Sequence, residues 1–165
     1  MLAATFEGAA MKLIPVVAAL AFAAACQAQS GQQAEVFSGK KVQAQTSALV
    51  AAAKASGSSG STLGDYSSHA IKLSIRTASG GAEVHAHYDD IFLVTEGKAT
   101  LITGGTVIDP KTDKAGETKG RGIRNGISRT ITKGDIVNIP AGTPHQLVLA
   151  PDTVYASIVI KVRES

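Results

Sequence analysis

From residue 69 onward the chain alternates apolar and polar residues with period two, the pattern of strands buried on one face. In HAIKLSIR, residues 69–76, His69, Ile71, Leu73 and Ile75 fall on one face and Ala70, Lys72, Ser74 and Arg76 on the other. The apolar face, with His69 on it, is expected to point into the core. In DIFLVT, residues 90–95, Asp90, Phe92 and Val94 share a face, and after a turn at Glu96 and Gly97 the run KATLITGG follows. Further strands are expected at 128–133 and 135–139, and then from His145, whose face Leu147 and Leu149 share. A last strand is expected over 154–162, where length and β-branched content suit a central position. Residues 40–55 follow another period. Ala44, Ala48, Ala51 and Ala55 recur at helical spacing beside Leu49 and Ala52, which predicts a short amphipathic helix packed outside the strands or on the partner in a homodimer. The breaker run SGSSGSTLG is expected to end it. The sum is an all-β fold with one short N-terminal helix and no internal repeat.

At 165 residues the chain has room for one domain. Aromatics are scarce, tryptophan is absent and the 17 glycines suit short strands joined by tight turns. A net charge of +3 says little about partners. Residues 106–126 hold Pro110, Gly116, Gly120, Gly122 and Gly126, with Lys111, Lys114, Lys119, Arg121 and Arg124 facing Asp109, Asp113 and Glu117. A lid, an anion-attracting rim and a plain solvated insertion all fit this segment, and the solvated insertion is the expectation. It has no aromatic interleaving, so no nucleic acid is expected as a partner, and none of its glycines precedes the Lys-Ser or Lys-Thr of a phosphate loop.

The N-terminal stretch reads as an address. From Met11, the expected true start, Lys12 is a short positive region, residues 13–25 form an apolar run, and small residues follow. That is the layout of a bacterial export signal, too short to span a bilayer as a helix. The only cysteine, Cys26, follows Ala23, Ala24 and Ala25 in a box resembling a lipoprotein cleavage site, and simple cleavage after Ala25 or Ala28 competes with it. The expectation is an exported protein, periplasmic or tethered to the membrane through a lipid on Cys26. The chain divides into a signal (1–28), a polar lead-in and helix (29–66) and a barrel (67–165). With its one cysteine in the signal, the exported chain has no disulfide and no thiol nucleophile of its own.

The chemistry centres on VHAHYDD, residues 84–90. If the stretch is extended, His85 and His87 project from one face, and Asp89 and Asp90 follow directly. Imidazole and carboxylate are ligands for a divalent first-row metal, although a lone His-x-His is as easily a surface pair beside solvated aspartates. The segment KGDIVNIPAGTPH strengthens the metal reading. Gly134, five residues, Pro140, one residue, Gly142, two residues and His145 resemble the second motif of the cupin superfamily, and His85, His87, Asp90 and Gly97 resemble its first. Two positions depart from the family. Only Tyr88 and Asp89 separate His87 from the acid, where a longer gap and a glutamate are usual, so Asp89 stays open as an alternative to Asp90. Leu149 stands where an asparagine usually closes the second motif.

The resemblance, over residues 71–162, implies a small cupin-type β-barrel (a double-stranded β-helix, or jelly roll). It also implies one divalent transition metal (Fe, Mn, Zn, Ni or Cu) held inside on His85, His87, Asp90 and His145. Such a set leaves coordination positions open for water, oxygen or a chelating substrate. Two readings follow: a metal-dependent oxidoreductase (a dioxygenase, for example), isomerase or lyase acting on a small molecule, or a non-catalytic module binding a small molecule or sugar. The inward faces of Ile71, Leu73, Phe92, Val94, Leu147 and Leu149 are expected to make a mostly apolar pocket. His69, on the same inward side, is the candidate catalytic acid–base group.

Overall fold

In the computed structural model, which describes residues 33–164, the strands with the clearest alternation lie side by side. Numbered along the chain, β2 (His69–Arg76), β13 (Tyr155–Arg163) and β4 (Tyr88–Glu96) pair antiparallel, with β1 (Ser58–Asp65) added outside β2 and β11 (Ile136–Ile139) outside β4. A second antiparallel sheet runs in the order β10 (Ile127–Thr132), β5 (Lys98–Thr103), β12 (His145–Val148), β3 (Ala82–His85), β8 (Glu117–Gly120) and β7 (Lys111–Thr112). A short ribbon of β6 (Thr106–Ile108) and β9 (Gly122–Arg124) stands beside it. The two large sheets bury one core between them. Phe92, Val94, Ile139, Tyr155 and Val159 come from the first sheet and Ala99, Leu101, Ile131 and Leu147 from the second, with Leu149 just beyond β12. Few sheet neighbours are consecutive in the chain, as in a jelly roll, and the fold is all-β with one helix among the described residues.

β13 takes the central place its residues suited, between β2 and β4. Its Tyr155, Ser157 and Val159 are buried, and with Lys161 they form the inward row. The helix forms as α1 (Gly39–Ser56), opened by the Ser38 side chain, which accepts from the Lys41 amide, and closed by Gly57 at φ 85°. Its packed stripe differs from the alanine stripe expected. Val42, Leu49, Val50 and Ala53 meet the sheet, while Ala44, Ala48, Ala51 and Ala55 are exposed. The larger side chains bury more apolar area on contact and so decide which face docks.

That docking inverts the reading of β2. His69, Ile71, Leu73 and Ile75 do share a face, but Leu73 and Ile75 pack under α1 with Ala53, Ala156 and Ile158, outside the barrel. Lys72, Ser74 and Arg76 therefore face the interior. Two further expectations change. The run after the helix does not remain a breaker: residues 58–65 form β1, paired with β2 from Ser58↔Arg76 to Asp65↔Ala70. Residues 106–126 are not a plain solvated insertion, because β8 pairs with β3 and carries Glu117 opposite His85. The expected signal, with Cys26, lies outside the described residues.

Gly97 makes the turn from β4 to β5 at φ 73°, and a Cβ there would lie 2.0 Å from the Val154 carbonyl oxygen. Only glycine fits both the left-handed backbone and the contact. Gly97→Ala is expected to lower stability by at least about 2 kcal/mol, read as a lower urea midpoint at unchanged slope.

Candidate metal and ligand site

At one end of the barrel interior the apolar core gives way to titratable groups. β3 delivers two of them: Glu83 and His85, two residues apart, point inward together. Glu83 lies directly across from His145 on β12, and His85 directly across from Glu117 on β8, so strand register alone makes neighbours of all four. One ligand atom each from Glu83, His85 and His145 lie within 4.8 Å of one another. The two imidazole centroids are 5.1 Å apart, and Phe92 meets His145 edge-on at 6.4 Å, closing the site towards the core.

Each ring is held by its far nitrogen. His145 Nδ1 lies 3.0 Å from the Thr143 carbonyl, which can only accept, so Nδ1 carries the hydrogen and Nε2 turns to the cluster. His85 Nδ1 donates to Glu117 Oε2. A carboxylate or carbonyl behind each imidazole is the usual outer support of a metal-binding histidine. His85 Nε2 lies 3.2 Å, and His145 Nε2 3.9 Å, from Asp90 Oδ2. Asp90 is 4% exposed, and its Oδ1 accepts from Lys161 Nζ at 2.7 Å. Glu83, His85 and His145 therefore supply a two-histidine, one-carboxylate donor set of the kind divalent first-row metals accept. Asp90 stands beside it, already paired with Lys161.

Burial and charge act against each other here. Burial alone would lower the His85 pKa, but the hydrogen bond and charge of Asp90, with help from Glu117, hold it above its ordinary value. Burial would raise Asp90, yet hydrogen bonds from His85 and Lys161 hold its carboxyl below the ordinary value. For His145 burial wins and, with the nearby His85 charge, lowers the pKa, which favours the neutral ring a metal requires.

The expected site residues therefore divide. His85, Asp90 and His145 come together. His87 does not join them: β3 ends at His85, and residues 86 and 87 form an exposed bend before β4, with the His87 carbonyl accepting from the Glu164 amide. The strand stops because the β3–β8 pairing ends at His85↔Glu117, so His85 and His87 do not share one extended face. Asp89 alternates away from Asp90 and accepts from the Ala141 amide at 2.8 Å, while the Gly142 amide donates to the His85 carbonyl. These two bonds tie the Pro140–Gly142 turn to β3 and β4 and set where β12 starts. His69 lies on the outer face, stacked on Tyr66 at 4.8 Å with Nδ1 3.0 Å from Ser68 Oγ, and does not line the cavity. Its inward placement is corrected together with that of Ile71 and Leu73, because α1 covers their side of β2.

Three groups were not foreseen. Glu83 had a signal, since it precedes His85 at the same spacing that singled out His87. Lys161 had one as well, as the next inward position after Ser157 and Val159. Glu117 had none, because its place opposite His85 exists only through β3–β8 pairing. Beside the cluster opens a cavity of about 510 Å³, reached by Phe92, Leu147 and Val159 from the core side and by Lys72, Ser74 and Arg76 from β2. It is more polar than the pocket expected.

No protein-family model matches the sequence, and no curated protein matches it. Solved structures similar to this chain include the cupin domain of Cnp3 from Schizosaccharomyces pombe, at 11% identity and TM-score 0.49, covering 65% of each chain. The polyketide cyclase RemF from Streptomyces resistomycificus is similar at 16% identity and TM-score 0.48, covering 66% of each. A cupin 2 conserved barrel domain protein from Salinispora arenicola is similar at 18% identity and TM-score 0.44, over 64% of this chain and 75% of that one. The chain spans less than two thirds of the first two.

Proposed function

We propose that this cupin-type barrel is an exported protein that holds one divalent transition metal per chain on Glu83, His85 and His145 and acts on a small molecule in the adjoining cavity. The observation that carries this reading is the convergence of those three ligand atoms within 4.8 Å at the wall of a 510 Å³ cavity. A metal bound there would supply Lewis-acid chemistry, polarising a substrate oxygen or activating water, in the manner of oxidoreductases, isomerases and lyases built on such centres. The chain's own groups do the rest. Glu117 and the Thr143 carbonyl fix the two imidazoles, Phe92 and the core below exclude water, and the Asp90–Lys161 pair keeps charge balanced beside the cluster.

Elemental analysis tests this reading. Protein purified after expression with Fe, Mn, Zn, Ni or Cu, or reconstituted with each, is expected to carry about one equivalent of at least one metal. Occupancy near zero for every metal would overturn it and leave a pure binding module. One observation favours that second reading: Lys161 already neutralises Asp90 without any metal. Export rests on Lys12 and the apolar run 13–25. The mature chain in its host is expected to begin at or shortly after Cys26, and a mass retaining Met1 or Met11 would refute export.

A further inference from the structure

We propose that the cavity is built for a small oxyanion, a carboxylate or phosphate group of the ligand, held on the β2 wall by Lys72 and Arg76. This deepens the small-molecule reading above and rests on it. Because α1 claims the apolar face of β2, the barrel interior receives Lys72, Ser74 and Arg76, a polar row with a cation at each end. Register shows what flanks it. Lys72 lies between Thr62 of β1 and Val159 of β13, Ser74 between Gly60 and Ser157, and Arg76 beside Tyr155. At Gly60, opposite Ser74, no side chain fills the wall.

The charges facing this space do not cancel internally. Lys72, Arg76, Lys119 and Lys161 line the cavity, and the acids among its lining residues are Glu83 and Glu117. Lys161 is bonded to Asp90, Glu117 to His85, and Glu83 belongs to the metal cluster. Lys72, Arg76 and Lys119 pair with no carboxylate among the described residues. Lys72 and Arg76 are half-buried, where a cation lacking a counter-charge loses hydration without compensation. The Ser157 hydroxyl, directly across from Ser74 on the inward face, is 2% exposed and lies on the cavity lining. Cations without a carboxylate partner, beside the Ser74 and Ser157 hydroxyls on the same inward face, form a receptor for an oxyanion. By strand rise, the Lys72 row stands about 7 Å from the Lys161–Asp90 row at the metal end. A molecule with an oxygen function at one end and an oxyanion at the other spans that distance and fits the volume.

The test measures thermal stabilisation and calorimetric binding of succinate, benzoate and inorganic phosphate, with succinamide and benzamide as neutral counterparts, on metal-loaded and EDTA-treated protein. At least one anion is expected to bind at least about tenfold more tightly than the amides. That preference should vanish in Lys72→Met/Arg76→Met and be largely kept in Arg76→Lys. A response to the carboxylates alone, or to phosphate alone, names the group. Anions binding no better than amides to well-folded wild type, or binding the double variant unchanged, overturns the proposal. Metal content is measured in the same samples. Normal metal loading without anion preference defeats only this inference, whereas anion preference without metal uptake defeats only the metal reading.

Discussion

His85→Ala and His145→Ala are each expected to weaken divalent metal binding by more than about 100-fold, a larger loss than that from disturbing an outer-shell support, while His87→Ala leaves it unchanged. The sequence motif gives the histidines equal standing, and the geometry does not. His85 and His145 are held by Glu117 and by the Thr143 carbonyl with their Nε2 atoms turned to one space, whereas His87 stands in an exposed bend. Competition with a chromophoric chelator, using zinc, measures all three variants on one scale. Circular dichroism confirms that each is folded. An equal loss in His87→Ala would mean that the bend folds inward on binding, and the assignment of Glu83 as the third ligand would fall.

Lys161→Met is expected to cost the metal-free protein about 3–5 kcal/mol, the usual result of leaving one partner of a buried pair behind. Asp90 is 4% exposed, and its carboxylate depends on Lys161 at 2.7 Å and His85 at 3.2 Å. Without the ammonium the charge stays buried and half satisfied. The double variant Asp90→Asn/Lys161→Met removes both charges and should recover most of the loss, so a double-mutant cycle by urea unfolding in EDTA isolates the pair. Strict additivity of the two single losses would show that the pair contributes nothing by its pairing. The sign of the pH dependence follows from Asp90. Its folded pKa lies below the ordinary 3.8, so its contribution is complete above that value and is lost as pH falls through the lowered one.

Much of the barrel was legible because side-chain alternation in a strand is a local property. Asp90, Phe92 and Val94 on β4, and His145, Leu147 and Leu149 at β12, share faces as their period of two requires. Gly134, Pro140 and Gly142 bring His145 to a strand start for reasons contained in their own backbones. The existence of α1 and the central rank of β13 follow from equally local patterns, whereas the meeting of His85 with His145 was implied only by the resemblance to the cupin motifs.

What alternation leaves undecided is which of two faces the fold will cover. β2 has an apolar face and a basic face, and both are partly covered: α1 takes the first and the cavity takes the second. Only the docking of a helix from elsewhere in the chain settles that. It sends His69 outside and brings Lys72 and Arg76 inside. Strand ends are equally non-local. β3 ends at His85, paired with Glu117 at the first residue of β8, so the inward pair is Glu83-x-His85 and not His85-x-His87. Glu117 itself carries no mark in a Gly-rich charged segment. Its carboxylate reaches His85 only because residues 32 apart in the chain are paired by hydrogen bonds between strands, and such pairing is decided by the whole fold.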